Sequence, residues 1–283
     1  MLRVAVLIVF TLCSPLIAGE MTTHKDIAYA EPKTEPQRNM LDVYTASNSG
    51  KRPIIFYIHG GGWTKGEKHG VDKKPQAFVD KGFVFVSTNY RFVPNVTVKE
   101  MMGDIAKAIR WTHDHAAEYG GDGDAIVVMG HSAGAHLAAL ICTDDSYLKA
   151  EGLSLAILKG CVPIDVSVYD IAKRSESMRS RPKGMYKDVF TDDPKIYNDL
   201  SPVTHIASGK SIPPFLILYV ADREETKVQS YWLAEKLGEV GIASTVFAGE
   251  GKTHGTICSD LGTDDDKPTE AVYGFLAGLG LGA

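Results

Sequence analysis

The feature that most narrows the fold of this chain is a series of short apolar runs, rich in β-branched residues, set between longer segments of helical periodicity. "IIFYIH" (54–59), "FVFVSTNY" (83–90), "AIVVMG" (125–130) and "PPFLILYVAD" (213–222) are the clearest. A strand with one wet face alternates apolar and polar residues, whereas an unbroken apolar run is expected of a strand covered on both faces. "NMLDVYTA", "LSLAILKGC" and "ASTVFAGEG" read as further strands. Between the runs, "TVKEMMGDIAKAIRWTHDHAAEYG" places Met101, Ile105, Ala108, Ile109, Trp111 and Ala116 at helical spacing, with an end near Gly120. "KPQAFVDKG", "AGAHLAALIC", "TKVQSYWLAEKLGEVG" and "KPTEAVYGFLAGLG" read as helices, the last with Pro268 near its start. Buried strands alternating with helices predict an α/β fold: a mostly parallel central sheet with helices on both faces. Function is then expected at the carboxyl ends of the strands.

The 283 residues suit one such domain over residues 20–283. Residues 20–40 are polar, carry Pro32 and Pro36, and read as a loose lead-in. Residues 165–210 are charged and punctuated by proline, which predicts an excursion from the sheet and a candidate lid. Residues 1–19 hold Arg3 and then an apolar run from Val4 to Ala18, shorter than a bilayer requires. This reads as a secretory signal peptide, implying a secreted or periplasmic mature chain without a membrane span; an uncleaved N-terminal anchor is the alternative. A net charge of −5 without a basic block argues against nucleic acid as a partner. Beyond the leader there are Cys142, Cys161 and Cys258, an odd number whose spacing suits no metal site; one disulfide with a free thiol and three buried thiols both remain open. "TDDDK" (263–267) reads as a solvated helix start rather than a calcium loop.

Two glycine motifs follow predicted strands. Gly130-His131-Ser132-Ala133-Gly134 matches G-x-S-x-G between a strand and a helix, the setting in which a serine is held on a strained turn. Side chains at 130 and 134 would collide with the neighbouring strand and helix, and the helix N-terminus favours developing negative charge. A tightly packed structural turn is the other reading. "HGGGW" (59–63) follows "IIFYI" and can present backbone N–H groups to an anionic oxygen; Gly61, Gly62 and Ala133 are the candidate oxyanion donors, with His59 fixing the loop. A serine nucleophile needs a base, and the base an anionic partner. Of nine histidines, His254 follows the last predicted strand on a glycine-flanked loop able to reach the sheet's carboxyl edge. Asp222 ends "FLILYVAD" about 30 residues earlier, with Glu224 and Glu225 as rivals. Trp63, Tyr90 and Phe92 are candidate pocket walls, with ordinary core aromatics as the alternative.

With these motifs in place, "HGGGW", "NYRF" and "DIAKAIRWTHDHAAEYGGDGDAIVVMGHSAGAHLAAL" resemble the α/β-hydrolase fold, in its carboxylesterase and hormone-sensitive-lipase-like branch, over almost all residues after 40. "ADREETKVQS" is similar to arylformamidases and to bacterial feruloyl-esterase-like relatives, which supports Asp222 over Glu224. The resemblance implies a serine esterase with Ser132 as nucleophile, Asp222 as acid, His254 as base, and an oxyanion hole from Gly61, Gly62 and Ala133. It implies a small-molecule ester substrate and no cofactor or metal. An arylformamidase-type amidase and a non-catalytic binding protein on the same fold are the rival expectations.

Overall fold

The computed structural model describes residues 20–31, 35–46, 50–177, 184–191 and 193–282. The leader expected over residues 1–19 lies outside the described residues. The strands are β1 (Met21–Ala28), β2 (Met40–Ala46), β3 (Arg52–Ile58), β4 (Val84–Thr88), β5 (Gly121–His131), β6 (Leu158–Ile164), β7 (Phe215–Val220) and β8 (Ser244–Gly249). The helices are α1 (Lys74–Asp80), α2 (Val98–His115), α3 (Ala133–Thr143), α4 (Asp145–Ala150), α5 (Ile171–Ser177), α6 (Gly184–Phe190), α7 (Pro194–Leu200), α8 (Glu224–Glu239), α9 (Thr256–Ser259) and α10 (Lys267–Gly278).

The eight strands form one sheet in the order β1-β2-β4-β3-β5-β6-β7-β8. The β1–β2 and β2–β4 pairs are antiparallel and the rest parallel. Strand β1 corrects the expected loose lead-in: Met21–Ala28 pairs along β2. Its alternation of half-buried and exposed residues suits an edge strand, a weaker signal than an unbroken apolar run.

The continuous runs are explained by two cores. Along β3, Ile54, Phe56 and Ile58 enter one core, while Ile55 and Tyr57 enter the other. Along β5, Ile126 and Val128 face one side, and Val127 and Met129 the opposite. Helix α2 buries Met101, Met102, Ile105, Ala108 and Ile109 against the first core. Its start is set by a capping box in which Thr97 and Glu100 satisfy each other's backbone N–H, worth about 1 kcal/mol.

Among the described residues, the excursion over 165–210 contains the three short helices α5, α6 and α7, and it is anchored. Ile171, Val189, Phe190 and Leu200 are buried, and Phe190 packs edge-on to Trp63 with ring centroids 5.0 Å apart. Asp266 caps α10 by accepting from the Thr269 N–H at 2.9 Å. Cys142, Cys161 and Cys258 are buried free thiols. No described helix is long and apolar enough to cross a membrane.

Candidate active site

Strand register brings the carboxyl ends of β3, β5 and β6 to one level. Ile58 pairs with Gly130, and His131 with Ile164. The residue after each strand therefore emerges at the same edge: His59, Ser132 and Asp165. Ser132 has φ 54° and ψ −122°, a positive φ that is strained for any residue with a side chain. The turn is held because the Ser132 N–H donates to the Ile164 carbonyl at 2.9 Å and the Ala135 N–H donates to the Ser132 carbonyl at 2.9 Å. The flanking glycines are required by contact. A Cβ on Gly130 would lie 2.2 Å from the Gly134 carbonyl oxygen, and one on Gly134 would lie 2.1 Å from that of Ile58. Packing alone could ask for small residues here, but not for a serine in this conformation.

His254 lies between β8 and α9, on a loop locked by Thr253 and Thr256, whose backbone N–H groups each donate to the other's hydroxyl at 2.8 and 3.1 Å. Its Nε2 is 3.0 Å from Ser132 Oγ, so the hydroxyl donates to the ring. Its Nδ1 is 2.6 Å from Asp165 Oδ2. The His254 carbonyl accepts from Nε2–H of His131 at 2.7 Å, so His131 braces the base from behind.

The carboxylate beside His254 is thus Asp165, and this corrects the expectation for Asp222. Asp222 makes no hydrogen bond to His254 among the described residues. Ile164 pairs with Leu218, and the Asp165 N–H donates to the Leu218 carbonyl at 2.8 Å. Asp165 therefore stands level with Ser132 on the adjacent strand. Asp222 lies one strand further out and past the end of β7, in a turn closed by the Arg223 N–H donating to the Val220 carbonyl at 3.0 Å. Glu225 pairs with Arg223 Nη2 at 3.2 Å and makes no hydrogen bond to His254 among the described residues. One signal for Asp165 was present in the sequence: a carboxylate directly after the apolar triplet Val162-Pro163-Ile164. Pro163 lacks a strand donor, and the strand read from the sequence ended at Cys161, short of this triplet.

The Asp165 carboxyl is fully buried. Burial alone would raise its pKa, but the hydrogen bonds from His254 and the Val220 N–H (3.1 Å) and the charge of Arg223 outweigh it and hold the group down at about 2. It is an anion throughout the neutral range.

In the glycine loop, Gly61 and Gly62 have φ of 121° and 61°. A Cβ on Gly61 would meet the Lys65 carbonyl oxygen at 1.9 Å. The N–H groups of Gly61, Gly62 and Ala133 have no hydrogen-bond acceptor among the described residues, and both glycines line the cleft with Ser132. His59 is buried beneath this loop. It stacks on Tyr90 with centroids 4.4 Å apart, and its Nδ1–H donates to the Gly60 carbonyl at 2.7 Å. Burial pushes its pKa down to about 4, so it is a neutral prop.

The aromatic residues expected as pocket walls lie underneath instead. Trp63 is buried and donates from Nε1–H to His136 Nδ1 at 3.3 Å, Tyr90 donates to the His59 carbonyl at 2.8 Å, and Phe92 meets His59 edge-on at 5.9 Å. They support the loop from the core. The cleft itself measures about 670 Å³, and its walls include Tyr57, Lys65, Glu67, Asp72, Cys258 and Ser259. Cys258 Sγ lies 3.2 Å from Tyr57 Oη. Its burial opposes ionisation, but His131 and Lys74 bring the thiol down to about 7. No group of three or more potential metal ligands exists among the described residues.

The chain is 30% identical over 236 residues to a Mycobacterium tuberculosis protein named "Probable carboxylic ester hydrolase LipM", covering 79% of this chain and 53% of that one. It spans about half the length of the first curated relatives it matches. Among solved structures, esterase B of Lactobacillus rhamnosis superposes with a TM-score of 0.76 at 19% identity, covering 92% of this chain and 86% of that one. Esterase 2 of Thermogutta terrifontis, solved with butyrate bound, superposes at 0.71 with 24% identity, covering 92% and 95%. These likenesses show the α/β-hydrolase fold. The BD-FAE family model matches residues 41–237, a span that includes the glycine loop, Ser132 and Asp165 and stops short of His254. This match over more than half of the chain places the protein in the BD-FAE family of α/β-hydrolase-fold proteins.

Proposed function

We propose that the protein is a carboxylic ester hydrolase working through an acyl-enzyme on Ser132. The observation that carries this reading is the unbroken hydrogen-bond chain from Ser132 Oγ to His254 (3.0 Å) to Asp165 (2.6 Å) at the rim of a cleft. Ser132 Oγ attacks the ester carbonyl while His254 Nε2 takes its proton. The buried Asp165 carboxylate keeps the Nδ1–H tautomer in place and offsets the imidazolium charge. The carbonyl oxygen, as it becomes anionic, moves into reach of the unpaired N–H groups of Gly61, Gly62 and Ala133. Loss of one such donor raises the barrier by about 3–4 kcal/mol in comparable sites. His254 then protonates the leaving alcohol, and a water activated by the same imidazole releases the acid.

Short to medium acyl groups fit best. The cleft has charged walls in Lys65, Glu67 and Asp72, and its candidate aromatic walls are buried below the floor. The test is fluorophosphonate labelling of folded protein, combined with hydrolysis of p-nitrophenyl esters from acetate to palmitate. Labelling at Ser132, its loss in Ser132→Ala, and rates falling with chain length are expected. A folded parent that neither labels nor turns over any ester would refute the proposal. N-formylkynurenine in the same assay separates an amidase: a formamide rate far above the ester rate would reassign the substrate while leaving the nucleophile in place.

A further inference from the structure

The turn after β7 delivers a cation where an acid was expected. Arg223 Nη1 forms an ion pair with Asp165 Oδ2 and lies 2.7 Å from His254 Nδ1, while Nη2 reaches Glu225 at 3.2 Å. Asp165 Oδ2 is therefore shared by two N–H donors, the guanidinium and the imidazole, which stand side by side. In the resting site His254 carries its proton on Nδ1 and accepts the serine hydroxyl at Nε2. Adding a second proton at Nε2 creates an imidazolium against the fixed charge of Arg223. The other groups facing His254 are Ser132 and, from the end of β5, His131, whose ring centroid is 4.6 Å away. Lys252, on His254's own loop, is engaged by Asp260 at 2.9 Å and by Asp266.

We propose that Arg223 is a positioning residue of the catalytic site: it pins Asp165 Oδ2 against His254 and sets a permanent cation beside the ring that takes the serine proton. This rests on the reading of Asp165 as the acid partner. The Arg223 side chain is about 29% exposed, so the effect is partly screened and is strongest at low ionic strength. Arg223 is not among the residues that line the cleft.

The test is the pH dependence of kcat/KM for p-nitrophenyl acetate at low salt, read where phenol and phenolate absorb equally. The acid-side midpoint of Arg223→Met is expected to move up by about half a pH unit or more, roughly threefold in proton activity. KM is expected to stay within about twofold. Arg223→Lys restores a charge without the planar fork and is expected to return most of the midpoint. In Arg223→Ala, added guanidinium is expected to draw the midpoint back, a rescue that a purely structural role would not give. A folded Arg223→Met that titrates like the parent, or an Arg223→Ala midpoint indifferent to guanidinium, overturns the proposal. Asp165→Asn distinguishes the two readings: near-parental activity there strikes the acid assignment itself, whereas a collapsed Asp165→Asn beside an unshifted Arg223→Met strikes only the role given to Arg223.

Discussion

Replacing Asp165 by Asn keeps the shape of the side chain and removes its charge, at a position where the charge is enclosed. The carboxylate is fully buried and accepts from three donors: His254 Nδ1, the Val220 N–H and Arg223. An asparagine brings two N–H donors of its own into that set and leaves one acceptor oxygen for three claimants. If its NH2 turns to His254, the ring must accept at Nδ1 and carry its proton on Nε2, the nitrogen that should take the serine proton. Losing a charge-assisted hydrogen bond to the forming imidazolium removes about 2–3 kcal/mol. Reversing the tautomer adds a comparable penalty. Together these come to roughly 4–5 kcal/mol, or a fall in kcat of about 10³–10⁴ at 1.36 kcal/mol per decade. The assay is steady-state hydrolysis of p-nitrophenyl acetate, with near-ultraviolet circular dichroism to verify the fold. KM is expected to change by less than about threefold. Asp222→Asn serves as the internal contrast and is expected to stay within about threefold of the parent. A collapse in Asp222→Asn with near-parental Asp165→Asn would refute the reasoning from register.

Three further predictions concern stability. In the elbow, Gly134→Ala drives a Cβ to 2.1 Å from a backbone oxygen and is expected to prevent folding or lower stability by more than about 3 kcal/mol. Gly103→Ala, in helix α2 with nothing within 4 Å of the added Cβ, is expected to stabilise by about 0.5–1 kcal/mol; urea midpoints check both. Burial holds His59 and His136 down to about 4, below an ordinary 6.5, so the unfolded chain binds more protons across that interval. Stability from these two groups is complete above about pH 6.5 and declines as pH falls toward 4. Urea unfolding at pH 7, 5.5 and 4.5 is expected to show this decline, and it is expected to shrink in His136→Gln; an unchanged slope in that variant counts against the buried neutral ring.

Features governed by short-range sterics and burial were legible in the sequence by itself. Unbroken β-branched runs can be covered only on both faces, so the parallel sheet followed from "IIFYIH" and "AIVVMG". Gly130 and Gly134 around Ser132 read as a strained elbow because the collisions they avoid are local, and His254 read as the base because a single loop follows the last strand. Which carboxylate stands beside His254, and where the aromatic residues near the motifs lie, were decided only by tertiary structure. Asp165 and Asp222 both follow strands, and what separates them is register across β5, β6 and β7, which no local pattern encodes. Trp63, Tyr90 and Phe92 sit beside the motifs in the chain, yet the glycine loop folds over them, so proximity in sequence became support from below rather than contact with substrate. Arg223 reached the site and Asp222 did not because the turn closing β7 leaves Asp222 exposed and brings Arg223 to Asp165, a placement that no local pattern encodes.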